Sequence, residues 1–178
     1  MRLAIIGLAG CGKSTTAGLV AEFAAERGLT CSTVKLAKPL YDLQAQVYRR
    51  SGVELADGVQ DQVLMEALAD AMRRINPRSL ADDFLARLGA TDADVVLNDD
   101  LRDPHVDAKA LRDGGFRVLR VTASPDVREK RLAGRGDTSR ADRSTSQLDL
   151  ITPDAVLDNS GSLDEHRKAV RDLVRSWL

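Results

Sequence analysis

Short apolar runs alternate with amphipathic segments along the chain. The run at residues 3–6 is typical of a strand buried in a parallel sheet, and further strands are predicted at 95–97, 116–121 and 155–157 and at 30–36, which is rich in β-branched residues. Between them, apolar residues three and four positions apart predict helices at 13–27, from 38 onward, 61–75, 79–88, 104–112, 125–133 and 163–177. This alternation predicts an α/β fold with right-handed crossovers and a parallel sheet covered by helices on both faces.

Turn-forming residues separate these elements. Gly28 follows the first predicted helix, the Asn76-Pro77 step ends another, and Pro39 suits a first helical turn. Residues 134–146 have few apolar positions and are rich in Arg, Asp, Ser and Thr, which predicts a mobile loop outside the core. With no internal repeat and no low-complexity linker, the pattern predicts a single domain over residues 1–178.

Composition excludes several classes of protein. The 178 residues are 43% hydrophobic and only 3% aromatic, which argues against binding single-stranded nucleic acid by stacking. Against 27 Asp and Glu stand 26 Lys and Arg, so the net charge of −1 predicts no attraction to nucleic acid or to a membrane surface. No apolar run is long enough to span a bilayer, and the N-terminus lacks a cleavable leader pattern. We therefore expect a cytoplasmic protein, and a homodimer stays open.

One motif carries clear chemistry. The segment GLAGCGKS at residues 7–14 matches G-x-x-x-x-G-K-[ST] at every fixed position and lies between a predicted strand and a predicted helix. Its glycines let successive backbone N–H groups point at phosphate oxygens, and the positive end of the helix dipole adds to the attraction. Lys13 is predicted to reach the β- and γ-phosphates, and the Ser14 hydroxyl to bind Mg²⁺. A glycine-rich turn without a ligand is the alternative.

A carboxylate for the metal shell is expected after another apolar strand. Asp99 and Asp100 follow the run at 95–97, and the sequence does not decide between them. Two aspartates in an ordinary loop are the alternative.

Six cationic residues and only three anionic ones lie between residues 128 and 143, late in the chain. The cationic residues are Arg128, Lys130, Arg131, Arg135, Arg140 and Arg143. Phosphoryl transfer needs cations over the transferring group, and an arginine-rich lid supplies them, whereas a solvated helix face is the alternative. The net charge of the whole chain, close to zero, thus conceals a cationic segment.

The cysteines and histidines suggest no further site. Cys11 is interpreted as a small residue at a variable motif position rather than as a reactive thiol. Cys31, His105 and His166 show no zinc-binding spacing, and the two histidines are predicted to be surface residues.

Several short segments resemble those of P-loop nucleoside monophosphate kinases, most closely the bacteriophage-type deoxynucleoside monophosphate kinases. Residues 36–40 (LAKPL) are similar to the family's F-A-x-P-L-K, and Arg74-Ile75-Asn76-Pro77 is similar to its R-x-I-N-P. Residues 100–102 (DLR) are similar to D-V-R, 144–149 are a degraded H-P-S-E-x-x-L-D, and 158–163 resemble N-x-G-x-L near the adenine. Gln147 stands where the family has an acidic residue, and no His precedes it.

The resemblance implies a three-layer P-loop fold, an acceptor-binding insertion at about 38–90, a lid at about 134–147, and Mg²⁺-dependent transfer from ATP to a nucleoside monophosphate. It implies catalytic roles for Lys13, Asp100, Arg102, Arg131 and Arg135. It implies nucleotide contacts by Gly10, Cys11, Gly12, Lys13, Ser14, Thr15, Asn159, Gly161 and Ser162. Acceptor contacts would come from Lys38, Tyr41, Arg74 and Arg102, and metal contacts from Ser14, Asp99 and Asp100. A stacking partner for the base would be Tyr41, Tyr48 or Phe84.

Two other functions stay open. Dephospho-coenzyme A kinases resemble residues 155–163 as well, but residues 35–38 (KLAK) lack the carboxylate that those enzymes place after the second strand. A hydroxyl acceptor benefits from a general base, whereas a phosphate acceptor needs cations. Because residues 35–38 are basic and lack a carboxylate, a monophosphate acceptor is favoured over a hydroxyl acceptor such as dephospho-coenzyme A or a nucleoside. A nucleotide-binding switch is the third hypothesis.

Overall fold

Five strands and seven α-helices alternate along the described part of the chain, which in the computed structural model covers residues 1–56, 59–133 and 147–177. The strands are β1 (Arg2–Ile6), β2 (Cys31–Thr33), β3 (Val95–Asn98), β4 (Arg117–Thr122) and β5 (Ala155–Asp158). The helices are α1 (Lys13–Ala25), α2 (Lys38–Arg50), α3 (Gln62–Ile75), α4 (Ser79–Gly89), α5 (Asp107–Asp113), α6 (Pro125–Ala133) and α7 (Leu163–Trp177), with a short 3-10 helix at Leu148–Leu150.

The strands form one parallel sheet in the order β2-β3-β1-β4-β5. In the register of the central strand, Leu3 lies opposite Leu97 of β3 and Arg117 of β4. The chain builds the sheet first to one side of β1 and then to the other. The carboxyl end of β1 is therefore the switch point where ligands bind in open α/β sheets. The predicted three-layer α/β architecture is confirmed.

Side-chain alternation along β1 divides the core into two layers. Leu3 and Ile5 pack on one face of the sheet with α1 and α7, and Ala4 and Ile6 pack on the other with α4 and α5. All four side chains are essentially inaccessible to water. Because β1 from Leu3 onward and β3 are buried on both faces, residues 3–6 and 95–97 have the continuous apolar sequences that predicted these strands.

Helices α2, α3 and α4 carry a smaller apolar cluster of their own. Leu40 of α2, Met65 and Ala69 of α3 and Leu80 of α4 are its buried members. These helices connect β2 to β3, and they bring the start of α2 and one face of α3 close to the carboxyl ends of those strands.

Two elements are shorter than predicted. Strand β2 ends at Thr33 rather than at 36 because, after Val34, the Leu36 and Ala37 amides bond to the Asp100 carboxylate. Helix α5 begins at Asp107 rather than at 104 because the Asp103 carboxylate accepts from the amides of residues 105–107, which follow it in a turn. Within the described ranges, no helix has both the length and the apolar character needed to cross a membrane.

Candidate active site

The loop at residues 7–14 joins β1 to α1 at the switch point of the sheet and is tightly enclosed. Gly10 has φ +79° and Gly12 has φ +102°, values that favour glycine. A Cβ at Gly10 would lie 2.7 Å from the Arg128 carbonyl oxygen, and a Cβ at Gly12 would collide with the Asn159 side-chain amide. Both glycines are therefore required by conformation and by space.

The loop fits a phosphate and a metal ion. Gly12 precedes α1 and has no side chain to cap its first turn, so the amides there face the loop concavity. Lys13 donates from Nζ to the Gly7 carbonyl at 2.7 Å, which holds the ammonium against the loop, and Ser14 and Thr15 are exposed on the first turn. Within the described ranges, no group of three His, Cys, Asp or Glu side chains could hold a metal ion.

Two side chains brace the loop from the far half of the sheet. Asn159, buried after β5, donates from Nδ2 to the Cys11 carbonyl at 2.8 Å. Arg131 of α6 donates from Nη2 to the Asn159 carbonyl at 3.0 Å and from Nη1 to the Gly10 carbonyl at 3.4 Å. Arg131 is therefore held beside the phosphate-binding loop, where an arginine can act on a transferring phosphoryl group.

Cys11 serves packing. Its side chain is 1% exposed and belongs to the apolar layer beneath α1 and α7. Burial raises the pKa of the Cys11 thiol, and the nearby Lys13 ammonium only partly opposes that shift. A raised pKa means little thiolate, so the thiol is a poor nucleophile.

His166 is buried, contrary to the prediction of a surface position. Its Nε2 lies 2.9 Å from the hydroxyl of Thr16, which also donates to the Gly12 carbonyl at 3.0 Å. The contact therefore connects α7 to the start of α1. Burial, with repulsion from Arg131, lowers the pKa of His166, and Asp158 only partly opposes that shift.

Folding stability is expected to fall from pH 7 to pH 5 through His166. A histidine whose pKa is lower in the folded state binds its proton more readily unfolded, so its contribution is complete above its unfolded pKa near 6.5 and decreases below it. Urea unfolding of wild type and His166→Gln at both pH values should give a smaller decrease for the variant, and the exposed His105→Gln is the control. Equal decreases in all three proteins would refute the role of His166.

The two candidate metal carboxylates have different partners. Asp99 pairs with the Lys35 ammonium. Asp100 accepts from the Leu36 and Ala37 amides, each at 2.9 Å, and from Asn98 Nδ2 at 2.6 Å. The Asp100 carboxylate therefore fixes the segment after β2 against the end of β3.

A cavity of about 310 Å³ opens at this edge of the sheet, between the ends of β2 and β3 and helices α2 and α3. Tyr41 and Arg102, two of the residues predicted to contact the acceptor, line it together with Asp100, which was predicted to be catalytic and to contact the metal. Its volume falls at the lower end of the range for small-molecule sites.

Arg73, rather than the predicted Arg74, lines this cavity. Its Nη2 is 2.7 Å from Asp107 Oδ2, and the Asp107 side chain is only 2% exposed. Burial raises the pKa of Asp107, and the attraction of Arg73 opposes that shift. Arg74 is exposed and does not line the cavity. The spacing R-x-I-N-P, counted back from Pro77, begins at Arg73, and this signal could have identified it.

Of the three aromatic residues expected near the base, Tyr41 alone lines the cavity. Burial, followed by the negative charge of Asp100, raises the pKa of its hydroxyl. Tyr48 instead donates to Asp61 at 2.9 Å. Phe84 is completely buried and packs on Phe116, with 5.6 Å between ring centroids.

Three other predicted contact residues have structural partners. The Lys38 side chain is 52% exposed and pairs with Asp42 one turn along α2, away from the cavity lining. Ser162 caps α7: its hydroxyl accepts from the Glu165 amide at 3.2 Å, and its own amide donates to Glu165 Oε2 at 2.8 Å. Gly161 lies against the same carboxylate, whose pKa these hydrogen bonds lower. The Ser-x-x-Glu spacing of a capping box was the missed signal.

Part of the predicted lid lies outside the described residues. Arg135, Arg140 and Arg143 fall in residues 134–146, whereas Gln147 is described and lines the cavity.

Several solved structures with this fold are kinases. The Mycobacterium tuberculosis APS kinase CysC in complex with AMPPNP and APS has a TM-score of 0.54 at 20% identity, covering 98% of this chain and 96% of that one. Shikimate kinase from Acinetobacter baumannii in complex with shikimate has a TM-score of 0.53 at 12% identity, covering 99% and 89%. A sugar kinase from Janibacter sp. HTCC2649 has a TM-score of 0.50 at 20% identity, covering 99% and 92%. No protein-family model and no curated protein matches the chain.

These likenesses establish the fold. The chain has the fold of the P-loop kinases, with the phosphate-binding loop at the switch point of the sheet and a cavity at the same edge. At sequence identities of 12–20%, these likenesses do not identify the acceptor substrate of this protein.

Proposed function

We propose that this protein transfers the γ-phosphoryl group of ATP to a nucleoside monophosphate and produces the diphosphate. The observation that carries the proposal is the pairing of a complete phosphate-binding loop with a cavity lined by Arg73 and Arg102 at the same edge of the sheet. An acceptor that is itself an anion needs such cations more than it needs a base.

On the donor side, the amides of the loop and of the first turn of α1 hold the ATP phosphates. Lys13 contacts the β- and γ-phosphates, and Arg131 contacts the group in transfer. Ser14, with Asp99 or Asp100, holds Mg²⁺, which when bound neutralises charge on the phosphates. Asn159 keeps the loop in shape through its 2.8 Å bond to the Cys11 carbonyl.

On the acceptor side, Arg73 is oriented before substrate arrives. Buried Asp107 fixes one end of its guanidinium at 2.7 Å, so little conformational entropy is lost when an acceptor phosphate binds. An oxygen of that phosphate attacks the γ-phosphorus as the bond to ADP breaks, and no proton need be removed from a phosphate that is already ionised. The three hydrogen bonds to Asp100 leave it poorly suited to act as a base, in agreement with this acceptor.

A hydroxyl acceptor is the second candidate, because five carboxylates line the cavity beside two arginines. The carboxylates are those of Glu66, Asp70, Asp100, Asp103 and Asp107. Two proteins of the same fold were solved with acceptors of other kinds, APS and shikimate.

An acceptor panel tests the proposal. Purified protein with ATP and Mg²⁺ is offered nucleoside monophosphates, deoxynucleoside monophosphates, nucleosides and dephospho-coenzyme A, and ADP release is followed. We expect stimulation by monophosphates. Stimulation by hydroxyl acceptors alone would refute the proposed acceptor, and tight ATP binding without any stimulation would favour a nucleotide switch.

A further inference from the structure

Three of the five cavity carboxylates are committed to the protein itself. Asp107 pairs with Arg73, and Asp100 holds the amides of Leu36 and Ala37. Asp103 Oδ1 accepts from the amides of residues 105–107, at 2.6 Å in the shortest case. These carboxylates shape the arginine end of the cavity, and each has at least one partner within the protein.

The other two carboxylates, Glu66 and Asp70, lie one turn apart on the cavity face of α3. Neither forms an ion pair with a residue of the described ranges. Glu66 accepts one long hydrogen bond, from Gln62 Nε2 at 3.4 Å. A carboxylate accepts hydrogen bonds, so this pair of side chains favours a ligand group that carries N–H or O–H donors.

The cavity therefore has a cationic end and an anionic end, which follow one another along α3. Glu66 precedes Arg73 by seven residues, which is about 10 Å along a helix axis. A ligand that reaches both ends places its anionic group beside Arg73 and its hydrogen-bond donors near Glu66. Tyr41 lies on the opposite wall, on α2, where its ring can contact a flat heterocycle.

An independent observation at the arginine end also points to a ligand. Asp107 is 1% exposed, yet within the described part of the chain its Oδ1 has no hydrogen-bond partner, and neither has Arg73 Nε. Both residues line the cavity. An unpaired donor is costly to bury, so a phosphate oxygen that accepts from Arg73 Nε would gain affinity, whereas Asp107 Oδ1 needs a donor such as a water molecule or a P–OH group.

We propose that this cavity selects a monophosphate whose base carries an exocyclic amino group, and that Glu66 and Asp70 read that group; this inference rests on the proposed function. An amino group donates to a carboxylate, as cytosine N4 does to Glu or Asp in nucleic-acid recognition. Uracil and thymine instead present a carbonyl at the same ring position, and two acceptors facing each other repel.

The test compares dCMP with dUMP, because the two acceptors differ only at adjacent ring positions. Cytosine has an amino group at C4 and an unprotonated N3, whereas uracil has a carbonyl at C4 and an N3–H. We expect kcat/KM for dCMP to exceed that for dUMP by about tenfold or more, the size of a hydrogen bond to a charged group. Glu66→Gln should reduce this preference by about tenfold, largely through better use of dUMP, since its amide can donate to the carbonyl. The KM for ATP should not change.

Two further variants keep the result interpretable. Asp70→Asn alters the second, exposed carboxylate and replaces Glu66→Gln as the test if that variant does not fold. Asp113→Asn is the matched control, because Asp113 is exposed on α5 and pairs with Lys109. Equal use of dCMP and dUMP, or an unchanged preference in both cavity variants, would overturn this inference while leaving the proposed function standing. If no monophosphate is phosphorylated, the proposed function fails and the inference fails with it.

Discussion

Replacing Lys13 with alanine is expected to lower the rate of phosphoryl transfer by about 10²–10³-fold, the usual loss when one preorganised charge-stabilising group is removed from an active site. Lys13 Nζ lies 2.7 Å from the Gly7 carbonyl and so is already placed over the loop that would hold the phosphates. The amides of the loop and of α1 are unchanged in Lys13→Ala, so some nucleotide affinity should persist.

Single-turnover transfer and equilibrium binding of a fluorescent ATP analogue separate the two effects. Lys168→Ala, which removes an exposed lysine from α7, is the matched control and should retain full activity. Transfer by Lys13→Ala at the wild-type rate would show that the loop does not perform the chemistry assigned to it.

Replacing Arg131 with alanine is expected to lower kcat by about 10²-fold while changing the KM for ATP much less. The reason is that Arg131 lies beside the loop, hydrogen-bonded to the Gly10 and Asn159 carbonyls, and can stabilise the charge that develops on the transferring group. Arg131→Lys should recover only part of the rate, because an ammonium cannot make both contacts of the guanidinium fork.

The neighbouring Lys130→Ala is the control, since Lys130 is exposed on α6. Thermal unfolding of each variant measures how much the Arg131 contacts contribute to folding stability, separately from their effect on catalysis. A lower unfolding midpoint with an unchanged kcat would make Arg131 a brace for the loop and not a catalytic residue.

The sheet and its helices were predictable because each depends on a local pattern. Residues 3–6 and 95–97 are apolar without interruption, which is what burial on both faces of a parallel strand requires. The ends of β2 and α5 were not predictable, because side chains distant in sequence or outside the helix decide them. Asp100 takes amides 64 and 63 residues away that the β2 ladder would otherwise use.

The phosphate-binding loop was predictable from its motif, whereas the acceptor cavity was predictable only in part. Arg102 and Tyr41, which the resemblance implied as acceptor contacts, line it, but Arg73 lines it in place of Arg74 because the helical turn of α3 directs only one of two adjacent residues inward. Asp107 and Lys35 could not be assigned from the sequence, since their partners, Arg73 and Asp99, are brought to them by the tertiary fold. His166 was misplaced because its partner, Thr16, lies 150 residues earlier in the chain.

The identity of the phosphorylated product tests the central claim most directly. Protein, ATP and Mg²⁺ are incubated with the best nucleoside monophosphate, and the products are followed by ³¹P NMR. The proposed function predicts a pair of coupled signals from a new nucleoside diphosphate, formed in equal amount to ADP and absent with Lys13→Ala. A new phosphomonoester signal from a hydroxyl acceptor, or inorganic phosphate alone, would contradict it.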